Sequence, residues 1–161
     1  MVDTSYQPKT YRKQGGDEFV VASGGALTIE EGATLTSAVG LRSSGAASGI
    51  GYATGAGAAV TQITNRSTGV TIDAICGAIT TDATSLAAGA EATFTVTNSA
   101  VEVGDVVVVA LRSGATAGTS IPVVTAVAAG SFDITLTNLH ASTADTGASI
   151  INFVVIKAVS A

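Results

Sequence analysis

Between residues 59 and 158 turn residues cut the chain into short runs of β-branched and small apolar residues, and this spacing leaves few folds open. The runs are AVTQIT (59–64), GVTIDAICGAIT (69–80), EATFTVTN (91–98), GDVVVVALR (104–112), SIPVVTAVA (120–128), SFDITLTN (131–138) and ASIINFVVIKA (148–158). NRSTG, AAGAE, VEVGD, SGATAG, AAGS and HASTADTG separate them, all rich in residues that favour turns. In EATFTVTN and SFDITLTN the apolar residues alternate with Thr, Ser and Asp. Phe94 and Val96, and likewise Phe132, Ile134 and Leu136, are therefore expected to point one way, into a core. VVVVAL and INFVVI are continuously apolar, which predicts central strands. No segment carries a helical period, and TDATSLAAGAEA has room for one short turn at most. Strands at this regular spacing predict an all-β fold, an antiparallel β-sandwich of jelly-roll or immunoglobulin-like topology.

The composition fits short strands with weakly charged surfaces. Hydrophobic residues make up 47% of the chain, but aromatics only 4% and charged residues 12%, with no Trp. An ordinary globular domain carries about 25% charged residues. A surface this poor in charge suggests partial burial in an assembly. No stretch reaches the roughly 18 apolar residues of a membrane helix, so no membrane partner is expected. Cys76 is the single cysteine, which excludes an intrachain disulfide. The first residues lack the apolar core of a secretory signal, so synthesis and folding in a reducing cytoplasm are expected.

Ahead of the sandwich, residues 1–16 predict an extended arm. Pro8 disfavours helix. Lys9, Arg12 and Lys13 against Asp3 give the arm +2, whereas residues 17–161 hold four basic and eleven acidic residues, a net of −7. The acidic body has no basic patch for phosphate neutralisation, so nucleic acid is not an expected partner. Tyr6 and Tyr11 stand among the arm's basic residues, and Tyr6, Lys9, Tyr11, Arg12 and Lys13 are the expected partner contacts. Residues 17–40 predict a small β unit: a strand at FVVA, a turn at SGG, and two short strands in ALTIEEGATLT with EEG as the corner. Leu27, Ile29 and Leu35 then share one apolar side, which a unit this small cannot bury alone. They are the expected oligomer contacts. The Gly-, Ala- and Ser-rich residues 41–58 predict a linker, and residues 59–161 the sandwich domain.

Chemistry-bearing motifs are scarce. GIGYATGAG (49–57) has Thr54 where a dinucleotide fingerprint needs its third glycine. It lacks the flanking strand and helix, and no lysine lies between Lys13 and Lys157 to complete a phosphate loop. It is expected to be a joint. His140, the only histidine, stands in a turn without a nucleophile elbow nearby in sequence. Cys76 is expected to be a small buried apolar residue, with no basic neighbour to favour a thiolate. Asp17–Glu18 and Glu30–Glu31 are adjacent pairs, which a strand would send to opposite faces. No metal-ligand spacing occurs, and Asn65-Arg66-Ser67 is expected to be a turn. No catalytic residue, cofactor or metal is expected.

GGDEFVVASGGALTIEEGATLT, GIGYATGAGAAVTQ with STGVTI, and the closing AAGSFDITLTN with INFVVIKA together resemble small proteins of the structural-gene cluster of tailed bacteriophages, those of the head decoration, cement or head-fibre kind. The resemblance spans most of the chain. It implies a virion structural protein on the outer capsid surface, made in the bacterial host cytoplasm. Such a protein is expected to staple major capsid proteins and to act as a homo-oligomer, a trimer before a dimer. Related modules occur on tail fibres, so a host-surface-binding module is the alternative. A polysaccharide-cleaving enzyme is a weaker one, because its usual carboxylate pair and aromatic groove are lacking.

Overall fold

The structure is a computed structural model that describes residues 10–12, 15, 18–30, 32–36, 50–52, 55–114, 116 and 120–158. The chain forms two compact units, Met1–Ile50 and Gly51–Ala161.

The second unit is a β-sandwich of two four-stranded sheets. Its strands are β3 (Gly57–Thr61), β4 (Val70–Thr71), β5 (Cys76–Thr80), β6 (Glu91–Thr97), β7 (Val106–Ser113), β8 (Ser120–Ala128), β9 (Ser131–Asn138) and β10 (Ile150–Ile156). The first sheet has the order β3-β5-β10-β7 and the second β4-β6-β9-β8. Chain neighbours hold matching places in the two orders, so nearly every connection crosses from one sheet to the other. Only β8 and β9 form a hairpin within one sheet, closed at Gly130 with φ +78°. No helix occurs among the described residues.

Three expectations need correction. First, the sheets are mixed: β3 runs parallel to β5 and β4 parallel to β6, while all other pairs in the sandwich are antiparallel. Second, the run at 69–80 is two strands in different sheets. Residues 72–75 make the crossing, fixed by Ser99 N–H donating to Asp73 at 2.8 Å and Asn98 Nδ2 donating to the Ala74 carbonyl at 2.7 Å. Third, β7, expected in the centre, is an edge strand. The opposite sheet's long edge, β8, carries Pro122, whose missing N–H suits an edge.

The core lies between the sheets. Ile79, Phe94, Val96, Phe132, Ile134, Ile151, Phe153 and Val155 are all buried. Phe132 and Phe153 meet across the gap with ring centroids 5.5 Å apart. The alternation in β6 and β9 therefore works as its pattern predicts. Gly77 stands opposite Phe153 on β10, and a Cβ there would lie 2.4 Å from the Ala58 carbonyl, so only glycine lets β3 pack so closely.

Both alternating runs end in Thr-x-Thr-Asn, and the two asparagines close the strands. Asn98 and Asn138 are fully buried. Asn138 Nδ2 donates to the carbonyls of Leu86, Ala87 and Thr143 at 3.0, 3.1 and 2.9 Å, and its Oδ1 accepts from His140 N–H. Buried amides that satisfy loop carbonyls in this way tie strand ends to their loops.

In the first unit, β1 (Thr10–Arg12) pairs antiparallel with β2 (Phe19–Val21). Part of the expected arm is thus laddered to the expected FVVA strand. The SGG turn is present, closed by Gly25 N–H to the Ala22 carbonyl with Gly24 at φ +75°. The EEG corner is also present, closed by Ala33 N–H to the Glu30 carbonyl with Gly32 at φ +81°. The two short strands expected around that corner are not formed among the described residues.

Candidate interaction surfaces

The outward faces of the two sheets differ in chemistry. On the β4-β6-β9-β8 sheet the central rows are Thr93 with Thr135, Thr95 with Asp133 and Thr97 with Ser131. Thr93 and Thr135 hydroxyls meet at 2.8 Å, and Thr95 donates to Asp133 at 2.7 Å. Cross-strand pairs of this kind stabilise a sheet by about 0.2–1 kcal/mol each. Those two rows pair their polar groups within the sheet, while the edge strand β8 adds Ile121 and Val123 to the same face, 46% and 45% exposed.

Most of the outward face of the β3-β5-β10-β7 sheet is apolar, interrupted by Asn152, Arg112 and the Thr61–Thr80 pair. One row is Ala59, Ala78, Asn152 and Ala110; the next is Gly57, Cys76, Val154 and Val108; Ile156 and Val106 continue beyond. Val106, Val108 and Ile156 are 52%, 46% and 52% exposed. The small residues of β3 and β5 leave an open depression of about 590 Å³, lined by Gly57, Ala59, Cys76, Ala78 and Asn152, with Arg112 at its rim. This face is a candidate contact surface. It also explains why β7 is apolar on both sides despite its edge position.

Cys76 is half-buried on this face and not in the core, a correction of the expected burial. The joint expected at 49–57 is anchored at one point. Tyr52 donates its hydroxyl to the Val155 carbonyl at 2.7 Å, and β3 begins at Gly57.

At one end of the sandwich the loops converge on a buried ion pair. Arg66 is 3% exposed and Asp145 fully buried, with Arg66 Nη1 3.5 Å from Asp145 Oδ2. Arg66 also donates to the carbonyls of Thr84 at 2.5 Å and Gly147 at 2.7 Å. Asp145 accepts from Ser120 Oγ at 2.6 Å and from the Thr116 amide at 3.0 Å. Gln62 extends the cluster, donating to the Thr68 carbonyl and accepting from the Asp82 amide. Every one of these contacts fixes a loop, so the cluster acts as a clamp. The turn expected at Asn65-Arg66-Ser67 is there, held by Ser67 N–H to Asn65 Oδ1, but it serves to deliver Arg66 inward.

At the other end, Lys157 donates to Asp105 at 2.7 Å, and the amides of Glu102 and Ala158 donate to the same carboxylate. The Lys157 hydrogen bond, then the Glu102 amide, holds the Asp105 carboxyl below its usual value of 3.8. A carboxyl lowered by folding stabilises fully above its unfolded value, and that contribution fades as pH falls through the folded one. Asp105→Asn is therefore expected to lower stability at pH 6, with the gap to the natural protein closing as pH drops below about 3.8. Urea midpoints measured from pH 6 to pH 2 check this; a gap independent of pH contradicts it.

The residues expected to make contacts divide as follows. Tyr6, Lys9 and Lys13 lie outside the described residues. Tyr11 and Arg12 sit on β1 with Tyr11 45% exposed. Leu27, Ile29 and Leu35 are exposed and outside any strand. His140 Nδ1 accepts the Ser142 and Thr143 amides at 3.2 and 2.9 Å, so it orders its own loop. Of the adjacent carboxylates, Glu18 and Glu30 are exposed, and Asp17 and Glu31 lie outside the described residues. Among the described residues no cluster of three His, Cys, Asp or Glu side chains forms a metal site, and no helix is long and apolar enough to cross a membrane. Sequence reasoning missed the apolar outer face and the Arg66–Asp145 clamp. The only sequence signal for the face was the unbroken apolar run of β7.

No family model matches the chain, and neither a curated protein nor a solved structure shows similarity to it.

Proposed function

We propose that this chain is a virion structural protein, a decoration or cement protein that binds the outer surface of a tailed-phage head and stabilises contacts between major capsid proteins. The supporting observation is the exposed apolar face of the β3-β5-β10-β7 sheet, on a domain whose buried polar clusters are spent on holding loops in place. Such a molecule works by covering other protein surfaces. The exposed Tyr11 and Arg12 on β1 add an amphipathic contact of opposite charge to the acidic body.

The mechanism is mass action. A protein that binds the expanded shell and not its separated subunits stabilises the shell in proportion to RT ln(1 + [L]/Kd) per site. Modest affinity, repeated over many lattice sites, yields large collective stabilisation. The test is co-sedimentation of the purified protein with expanded heads that lack it. Saturable binding is expected, and absence of binding at micromolar concentration overturns the proposal.

A further inference from the structure

The apolar sheet face and the first unit carry complementary exposed surfaces. Leu27, Ile29 and Leu35 are 60%, 45% and 57% exposed, on either side of the Glu30–Ala33 turn, and lie in no strand. Glu30 stands at that turn. The face offers the converse: a hollow floored by Gly57, Ala59, Cys76 and Ala78, flanked by the Val108–Val154 ridge, with Arg112 as the charge at its rim. We infer that Leu27, Ile29 and Leu35 of a second copy of this chain cover this face, their aliphatic side chains filling the hollow and Glu30 meeting Arg112.

Charge selects this occupant. The sandwich unit from residue 51 onward holds Arg66, Arg112 and Lys157 against seven acidic residues, so acidic surfaces of two copies repel wherever they meet. Arg66 is buried and Lys157 is engaged by Asp105, whereas Arg112 sits at the rim of the hollow. An apolar segment with an acidic turn matches an apolar hollow with a basic rim. The contact joins unlike surfaces, head to tail, and every copy satisfies both of its sides when the rotation between copies closes a ring. It forms between copies without any capsid, so its test stands apart from that of the capsid proposal.

The test uses the native cysteine. A chain carrying Ile29→Cys and Cys76→Ala is mixed with the natural protein, whose only thiol is Cys76, and oxidised with diamide. Each disulfide joins two thiols, and the two electrons and two protons pass to diamide, which becomes the hydrazine. A heterodimer identified by mass, formed in several-fold excess over that from a control chain with Ile63→Cys and Cys76→Ala, is expected. Ile63 is 85% exposed and lies outside the face. Heterodimer at or below the control level overturns the inference. Independently, Arg112→Glu and Glu30→Arg are each expected to weaken self-association in sedimentation by about tenfold, and the double variant to recover most of it. Single variants that associate as the natural protein does, or a double variant with no recovery, also overturn it.

Discussion

Asp145→Ala is expected to lower the unfolding free energy by about 3–5 kcal/mol, the usual cost of removing one partner from a buried ion pair. The loss has three sources in this structure. Arg66 keeps its charge in a site where it is only 3% exposed. Ser120 Oγ and the Thr116 amide lose the acceptor they share. The loops that meet at Asp145 lose their common anchor, although its backbone still exchanges hydrogen bonds with Leu86 at 2.9 Å in each direction. Asp145→Asn preserves the shape and one acceptor oxygen, so a smaller loss is expected. Replacing the pair together, with Arg66→Met and Asp145→Leu, removes the stranded charge and is expected to cost less than Asp145→Ala alone. Urea unfolding of the four proteins checks this order. A double variant as unstable as Asp145→Ala, or more so, contradicts the clamp as described.

Phe132→Ala is expected to cost about 3–5 kcal/mol as well, for a different reason. The two sheets of the sandwich are held together across their gap by side chains. Phe132 is 1% exposed and its ring meets Phe153 of the other sheet at 5.5 Å. Truncation removes that contact and leaves a cavity within the core cluster, beside Phe153 and between the strand neighbours Val96 and Val127. Because backbone ladders enclose the site on both sides, it cannot collapse to fill the space. Phe132→Leu keeps much of the volume and is expected to lose less. Equal losses for the two substitutions contradict the packing account.

The core strands were legible because their chemistry is local. β6 and β9 alternate Phe, Val, Ile and Leu with Thr, and a period of two shows in any short window. The SGG and EEG turns were legible for the same reason. What stayed hidden depends on distant residues. The break within 69–80 needs Ser99 and Asn98 to hold residues 72–75 in place, and nothing within the run marks it. Arg66 looks like a turn residue until Asp145, 79 positions later, folds against it. β7 was misplaced because an apolar run shows that both sides are to be covered and not by what. In a central strand of a buried sheet the second cover is the protein itself. Here that side is left open, at Val106 and Val108. Cys76 was assigned to the core for want of the same information: inward Gly77 and outward Cys76 have opposite roles that one residue of register decides.

The central claim is that this molecule acts by covering other protein subunits on a phage head. The direct measurement offers purified protein, in parallel, to expanded heads stripped of it, to tail fibres and to host cells, and follows where it sediments and the temperature at which the heads release their DNA. Saturable binding to heads, with release shifted to higher temperature, is the predicted result. Binding to fibres or cells with none to heads, or binding to heads that leaves the release temperature unchanged, contradicts it.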